Sequence, residues 1–348
     1  TIAATSISAN TEAGFSIVSY TTQSSGTATV GHGLSSPPDM IIVKTTGVPD
    51  SWRTYHSSLG AGFQIYLNLT NAAGSTANQW NNTAPTSSVF TLGTDNAGSY
   101  PTVAYCFASI PGMSDIGSYV GTGATGNSIV TGFRPAFLMV KLTSAIDGQW
   151  VMYDNKRNPT NPRTKKLAAN LDVAENDPGL LGGDSSHQVN FLSNGFELLQ
   201  AGSGVNTNKS GETYIFMAFA AEPTPEPVLA NSFKTVLYTG TNADQNISTS
   251  FAPDFVWIKS RDTTNFEHCL FDTVRGAGTT KVLFSDTTAA EGSSIAAPMN
   301  SFNPNGFTVS PRADGNANVL VNKSGDDLVA WCWKAGGLPA INNEGSIE

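Results

Sequence analysis

Charged residues are scarce in this sequence. Asp, Glu, Lys and Arg together make up 13% of the 348 residues, and the formal net charge is -9. Affinity for nucleic acid depends on clustered Lys and Arg, so this composition argues against a nucleic-acid partner. The densest basic stretch holds Lys156, Arg157, Arg163, Lys165 and Lys166. Acidic residues flank this stretch, and we therefore expect it to be a solvated loop.

Cysteine is rare, and long apolar runs and catalytic motifs are missing. Cys106, Cys269 and Cys332 lie inside apolar, strand-like runs, which predicts buried thiols rather than a disulfide framework or a metal site. No run of about 18 apolar residues occurs, so we expect no membrane insertion. The four histidines lack metal-ligand spacing, and neither a Gly-x-Ser-x-Gly elbow nor a phosphate-binding loop is present. We therefore expect a protein that is not an enzyme, with no catalytic residues, no metal and no cofactor.

Turn-forming residues are abundant instead. The chain has 34 Gly and 18 Pro, with many Ser, Thr and Asn, whereas 39% of its residues are hydrophobic. That hydrophobic content suffices for real cores, and the many turns are typical of all-β proteins. Short apolar runs bounded by turn residues recur along the chain, which is the strand spacing of a sandwich or a jelly roll.

One apolar segment occurs three times. Residues 38–44 (PDMIIVK), 135–141 (PAFLMVK) and 253–259 (PDFVWIK) each contain a proline, an apolar run and a final lysine. These runs are short for a helix and rich in β-favouring residues, so each predicts a strand buried on both faces. The period of about a hundred residues is long enough for each unit to own a core. The predicted fold is therefore all-β, with three tandem β-sandwich, jelly-roll-like units.

The repeat divides the chain into six segments. We predict a lead-in at 1–13, unit 1 at 14–112, unit 2 at 113–221, a Pro-rich linker at 222–231, unit 3 at 232–337, and a tail or link to a further repeat at 338–348. The chain does not begin with Met, and its last residues faintly resemble its first, so we hypothesise that it is a segment of a longer repeat protein. Only residues 165–174 have helix-forming composition, and there we expect a short helix or a turn. The string Asn-Lys-Ser-Gly precedes the closing strand in two units, at 208–211 and 322–325.

The lysines that end the three repeated segments are Lys44, Lys141 and Lys259. We expect a structural role, in which each lysine leaves the core by its long stem and protects a strand end. The alternative is a repeated ligand contact that includes Tyr55 and Tyr153 on the neighbouring strand. In unit 3 that position is Phe271, which lacks the hydroxyl group.

Trp80 is the best candidate for a sugar platform. Asn and Gln flank it, the other units have no counterpart, and the segment has the character of an exposed turn. Packing of Trp80 against the next unit or a subunit explains the residue equally well. The candidate ligand-binding residues are therefore Trp80, Tyr55 and Tyr153.

Several short strings resemble a known family. They are residues 14–20 (GFSIVSY), 40–44 (MIIVK), 80–86 (WNNTAPT), 132–137 (GFRPAF) and 152–154 (MYD). They look like a repeated β-domain of large structural proteins of tailed bacteriophages, many of them marine. In that family the domain often lies beside concanavalin-like or laminin-G-like sandwiches. The strings are core strings, so the resemblance implies a virion component and names no active residue.

The resemblance implies a non-enzymatic structural protein on the surface of the virion, such as a tail fibre, a capsid decoration or another appendage. Its expected partners are itself, in a homo-oligomer that is a trimer by analogy with fibres, other virion proteins, and host-surface glycans during attachment. The alternative function is a carbohydrate-binding adhesin module of a phage or of a secreted bacterial protein. Selective binding on a glycan array would favour the adhesin.

Overall fold

A computed structural model of the chain describes residues 5–175, 177, 187–199, 207–220, 232–337 and 340–342. Within these ranges nearly all regular structure is antiparallel β-sheet, and the one helical segment is a 3₁₀ turn at Thr94–Asn96. The all-β prediction is confirmed. The predicted linker at 222–231 lies outside the described residues, and the predicted unit bounds stay predictions.

The strands follow one another along the chain in three sets. The first set is β1 (Thr5–Asn10), β2 (Phe15–Thr21), β3 (Ala28–Gly31), β4 (Met40–Thr45), β5 (Arg53–His56), β6 (Phe63–Tyr66), β7 (Gly74–Ser75), β8 (Val89–Leu92) and β9 (Pro101–Phe107). The second set is β10 (Ser114–Val120), β11 (Asn127–Val130), β12 (Pro135–Leu142), β13 (Trp150–Asp154), β14 (Leu167–Ala168), β15 (Val189–Leu192), β16 (Gly195–Leu198) and β17 (Thr213–Ala220). The third set is β18 (Phe233–Thr239), β19 (Gln245–Ser248), β20 (Phe255–Ser260), β21 (Cys269–Asp272), β22 (Leu283–Phe284), β23 (Met299–Asn303), β24 (Gly306–Val309), β25 (Asp327–Trp333) and β26 (Ala340–Asn342).

The same strand order recurs in each unit. Unit 2 has a five-stranded sheet, β10-β17-β12-β13-β14, and a small sheet, β11-β16-β15. Unit 3 repeats both, as β18-β25-β20-β21-β22 and β19-β24-β23. Unit 1 contains the equivalent order β2-β9-β4-β5-β6 and a two-stranded small sheet, β3-β8. Its large sheet is extended by β7 at one edge and by β1 and β26 at the other.

The repeated apolar segment lies at the centre of each large sheet. It forms β4, β12 and β20, in which every residue is buried. Successive side chains of a strand point to opposite faces. In β4, Ile41 and Val43 therefore join one apolar cluster, whereas Met40 and Ile42 join another. The prediction of a strand buried on both faces is confirmed.

One of these clusters, the shared core, draws on all three units. Phe107, Phe219 and Trp333 occupy the same place at the ends of β9, β17 and β25. Their ring centroids form a triangle with sides of 6.1, 5.7 and 6.3 Å. The units are therefore arranged around a central axis with approximate threefold symmetry, whereas the sequence had predicted tandem units that each own a core.

Each unit also has an outer core between its large and small sheets. The cluster of unit 1 includes Val30 and Trp80, that of unit 2 includes Phe191 and Phe216, and that of unit 3 includes Phe307. The large sheet of every unit thus lies between two apolar layers. One layer belongs to its own unit, and the other is common to the whole chain.

Two segments differ from their sequence-based descriptions. The lead-in contains β1, which pairs with β2 on one side and with β26 on the other. Residues 165–174 contain the short strand β14 and, as one of the two predicted alternatives, a turn at 169–170, but no helix, because Leu167 and Ala169 pack into the shared core. All three cysteines are buried and free, as predicted, and burial raises the pKa of Cys106 to about 12.

Candidate functional site

The three repeated lysines lie where neighbouring units contact each other. We call these three contact regions between units the seams. Lys44, Lys141 and Lys259 are all fully buried. The expectation that each lysine leaves the core towards solvent is wrong, because a neighbouring unit covers the strand end. The seams are the part of the molecule where buried polar chemistry recurs.

Backbone carbonyls receive the lysine ammonium groups. Lys44 Nζ donates to the carbonyl of Asp50 at 2.6 Å and to that of Thr288, in unit 3, at 2.9 Å. Lys259 Nζ donates to the carbonyl of Asp172, in unit 2, at 3.3 Å. Two lysines therefore bond across a seam. Lys141 Nζ instead donates within its own unit, to the carbonyl of Gly148 at 2.5 Å.

A Trp or His side chain lies on or directly before the strand next to each lysine. The two Trp side chains donate hydrogen bonds across a seam. Trp52 Nε1 of unit 1 donates to the carbonyl of Phe284 of unit 3 at 2.8 Å. Trp150 Nε1 of unit 2 donates to the carbonyl of Tyr66 of unit 1 at 2.9 Å. His268 takes the same place in unit 3, where its Nδ1 accepts a hydrogen bond from Trp257 Nε1 of the same unit at 2.9 Å. The bond from unit 3 to unit 2 comes from Lys259 instead, so each unit still bonds to the preceding one around a closed cycle.

Backbone hydrogen bonds follow the same cycle. Three equivalent N–H groups each donate across a seam at 2.8 to 2.9 Å, from Ala73 to Thr143, from Glu175 to Arg261 and from Glu291 to Thr46. Each acceptor lies just after the central strand of the next unit. The threefold arrangement therefore extends from the apolar core to the main chain.

A buried ion pair occupies the seam between units 2 and 3. Arg157 Nε lies 2.6 Å from Asp154 Oδ2, and neither side chain is exposed. Trp331 Nε1, from unit 3, donates to the same carboxylate at 3.2 Å. Glu175 bridges Arg157 at 3.4 Å and Arg261, in unit 3, at 2.7 Å. The charges of this seam are therefore neutralised within it.

The equivalent group recurs between units 3 and 1. Arg275 Nε lies 2.5 Å from Asp272 Oδ2, and Tyr105 of unit 1 donates its hydroxyl to that oxygen at 2.8 Å. Glu291 completes the group at 2.9 Å from Arg275. The spacing Asp-x-x-Arg occurs at 154–157 and at 272–275, so the sequence contained a signal for both ion pairs.

The third seam, between units 1 and 2, has a histidine in place of the aspartate. His56 is buried, and its Nε2 lies 3.4 Å from the carbonyl of Phe216 in unit 2. Burial lowers the pKa of His56 to about 4, although this carbonyl and the charge of Asp39 oppose the shift. At neutral pH this seam therefore contains a neutral ring where the other two contain an ion pair.

Burial also changes the protonation of the lysines. It lowers the pKa of Lys44 to about 8, that of Lys141 to about 7 and that of Lys259 to about 8. In the unfolded chain the same groups have a pKa near 10.5. From about pH 7 to 8.5 these three lysines therefore bind more protons in the unfolded state than in the folded state, and they make the free energy of unfolding rise with pH.

We expect Lys141→Met to reduce the dependence of the free energy of unfolding on pH. The variant removes one proton difference, so between pH 7 and 8.5 the free energy of unfolding should rise less steeply, by up to about 1.4 kcal/mol per pH unit. Urea unfolding at a series of pH values measures the slope. The series ends at pH 8.5, because buried thiols such as Cys106 act in the opposite direction above it. Lys156→Met, at an exposed position, is the control; equal slopes for wild type and Lys141→Met would contradict the prediction.

The candidate ligand-binding residues are all buried. Trp80 is 1% exposed and makes an edge-to-face contact with Tyr55 at 5.7 Å inside the outer core of unit 1. Tyr153 lies in the outer core of unit 2, where its hydroxyl donates to the carbonyl of His187 at 2.6 Å. The expectation of an exposed Trp80 is wrong, because the ring fills its own unit's core. The three residues do not come together in one site.

The basic stretch and the repeated polar string are structural as well. Arg157, Arg163 and Lys166 are buried, so the expectation of a solvated loop is wrong for these residues. The asparagine of the Asn-Lys-Ser-Gly string accepts a backbone N–H bond from the turn after the first strand of its unit. The bond is 3.0 Å from Thr122 to Asn208 and 2.9 Å from Thr241 to Asn322.

The described surface contains shallow grooves. One lies on the small sheet of unit 3, beside Asn246, Asn303 and Gly306, and another lies between Asn10 and Lys334. Across the described ranges, no group of three or more His, Cys, Asp or Glu side chains is placed to hold a metal ion. No helix within them is long and apolar enough to cross a membrane.

Among curated proteins and among solved structures, no match to the chain was found. A family model described as a domain of unknown function (DUF7483) matches residues 1–223 and 230–348. The two matched ranges together include nearly the whole sequence and all of the seams described above. The chain therefore belongs to the DUF7483 family.

Proposed function

We propose that this chain is a non-enzymatic structural protein on the surface of a tailed-phage particle, in a tail fibre, a capsid decoration or another appendage. The observation that carries the proposal is the shared core, in which all three units contribute to one apolar cluster. The type of particle comes from the resemblance of the repeated strings to phage structural proteins. The mechanical role is inferred from the shared core and from the hydrogen bonds and ion pairs at the seams.

The closed cycle of seams supports a mechanical role. Moving one unit away would expose part of the Phe107, Phe219 and Trp333 triangle and break two seams together. It would also uncover buried charges such as the Asp154 and Arg157 pair, which are costly without their partners. Small displacements are therefore resisted by dense packing at every seam. Such rigidity suits a particle that must persist outside a cell.

The use of the titratable groups supports a non-enzymatic role. A catalytic acid or base must come within hydrogen-bond reach of a substrate. Here buried titratable groups such as Lys259 and His268 lie inside a seam, where Lys259 donates to a backbone carbonyl and His268 accepts from Trp257 Nε1. Contact with host glycans through Trp80, Tyr55 or Tyr153 is left out of the proposal, because these side chains are buried.

Self-assembly and contact with other virion proteins are further parts of the proposal. Labelling of intact particles with antibodies against the chain, observed by electron microscopy, tests it. We expect label at regular positions on the particle and the chain among the proteins of gradient-purified particles. Purified particles that lack the chain would overturn the proposal.

A further inference from the structure

The outward face of the small sheet in unit 3, β19-β24-β23, differs from the equivalent face in unit 2. In unit 2 this face carries two apolar side chains, Val130, which is 71% exposed, and the half-buried Leu192. The strand registers place Ser248 and Asn303 at these two positions in unit 3. Both small sheets use their opposite face for the outer core. They therefore pack in the same way but present different surfaces to solvent.

A groove crosses the polar face of unit 3 at the turn between β23 and β24. It has a volume of about 430 Å³ and is lined by residues 246–248 and 303–306, none of which is charged. Ligand sites in proteins commonly have volumes of about 300 to 1,000 Å³. Gly306 brings the turn against β19, because a Cβ atom there would lie 1.9 Å from the carbonyl oxygen of Ile247. The floor of the groove is therefore closely packed backbone.

Hydrogen bonds orient the side chains on one side of the groove. Thr308 Oγ1 donates to Asn246 Oδ1 at 2.6 Å, and Asn303 Nδ2 donates to Thr308 Oγ1 at 2.9 Å. Ser301 Oγ donates to Asn303 Oδ1, also at 2.9 Å. The oxygen of the exposed Asn246 amide is thus bonded, whereas no described residue accepts a bond from its N–H groups. Two oriented donors are therefore available to a ligand.

The other side of the groove carries exposed groups of the turn and of the end of β19. The Asn305 carbonyl accepts from the Thr249 N–H at 2.8 Å, which anchors the turn, while the Asn305 side chain is exposed. Ser248, the last residue of β19, is exposed as well. Within the described ranges neither side chain has a hydrogen-bond partner. Pro304 adds an exposed apolar ring between the two amide-bearing residues of the turn.

We propose that this groove binds one sugar unit of a neutral glycan. A sugar hydroxyl both donates and accepts, so it pairs with amide and hydroxyl groups without a charged partner. The Asn246 amide donates to a sugar oxygen, Asn305 and Ser248 exchange hydrogen bonds with sugar hydroxyls, and the Pro304 ring contacts the C–H groups of the sugar. The inference goes beyond the proposed function, because it depends on the surface of unit 3 and not on the shared core.

The composition of the lining argues against other classes of ligand. Phosphate and carboxylate groups are typically bound by Arg or Lys, and the lining contains neither. A stable protein partner typically covers about 800 Å² with an apolar centre, whereas this groove is small and polar. A single small neutral site binds weakly, with a Kd on the order of 1 mM, and display of many copies on one support raises the avidity.

A glycan array tests the proposal, with the whole chain coupled in many copies to fluorescent beads. We expect binding to a subset of neutral oligosaccharides of glucose, galactose or N-acetylglucosamine, and no gain from added sulfate or sialic acid. Titration of the isotopically labelled chain with a selected oligosaccharide should shift the side-chain amide NMR signals of Asn246 and Asn305. Binding to no glycan, or only to sulfated or sialylated ones, would overturn the proposal.

Variants that copy unit 2 locate the site. The double variant Ser248→Val with Asn303→Leu, and the single variant Asn246→Ala, should each weaken binding about tenfold or more through lost hydrogen bonds. Ser128→Ala, at the position of unit 2 equivalent to Asn246, is the matched control and should change nothing. These outward positions leave the core intact, which an unchanged urea midpoint checks. Equal binding by wild type and the double variant, or an equal loss with Ser128→Ala, would overturn the site. Particle labelling tests the virion role separately, so either proposal can fail alone.

Discussion

Replacing Trp331 with alanine is expected to lower the free energy of unfolding by about 3–5 kcal/mol and to loosen all three units together. Trp331 is fully buried in the shared core, and its ring lies 5.8 Å from that of Phe137 in unit 2. The substitution leaves a cavity between units. It also removes the indole N–H group that donates a hydrogen bond to the Asp154 carboxylate. Denaturant unfolding measures the loss, and hydrogen exchange shows where protection falls.

Trp80→Ala is the matched control for this prediction. It removes the same side chain from a core that belongs to unit 1 alone. We expect a comparable loss of stability, with local loss of protection concentrated in unit 1. If Trp331→Ala reduced protection in unit 3 only, the units would be independent sandwiches, and the shared core would not couple them.

Asp154→Ala is expected to cost about 3–5 kcal/mol through a different mechanism. It removes the carboxylate beside the unexposed Arg157 guanidinium and leaves Trp331 Nε1 without its acceptor. The arginine then keeps a longer contact to the Glu175 carboxylate, at 3.4 Å, and a hydrogen bond to the carbonyl of Met152, at 3.0 Å, which carries no full charge to replace Asp154. The loss is measured by urea unfolding, and it should be largely recovered when Arg157→Met is combined with Asp154→Leu, because no unpaired charge then remains.

The exposed pair of Arg312 and Asp314 is the control for the buried pair. Its atoms are as close, at 2.6 Å, but the Asp314 side chain is 41% exposed. Asp314→Ala should leave the urea midpoint unchanged, since water solvates either partner left alone. A similar loss for Asp154→Ala and Asp314→Ala would contradict the view that burial in the seam gives the ion pair its importance.

Burial was predicted correctly for residues whose environment depends on their own strand. The apolar segments at 38–44, 135–141 and 253–259 alternate across a sheet, and they are buried on both faces wherever they occur. Cys106 lies within a similar run and is buried as expected. In both cases a local pattern predicts burial because successive side chains point to opposite faces.

Burial was predicted wrongly for residues whose environment depends on contacts between segments that are distant in the sequence. The ammonium group of Lys44 donates a hydrogen bond to a carbonyl 244 residues away in the sequence. The burial of Lys44 therefore could not be predicted from the strand that contains it. Trp80 sits in a polar string, yet its ring closes the outer core against Tyr55. The repeated Asp-x-x-Arg spacing was visible, but its role required Trp331 and Tyr105, which come from other units.

The sequence by itself determined an all-β chain with a recurring central strand, since turn residues and a two-residue side-chain period act over short distances. Burial on both faces further required that two layers cover each large sheet. Only the tertiary structure decided what those layers are. One is the unit's own small sheet, and the other is the pair of neighbouring units. An apolar face requires removal from water but does not specify its partner. That choice depends on the shape and polar pairing of all three units at the seams.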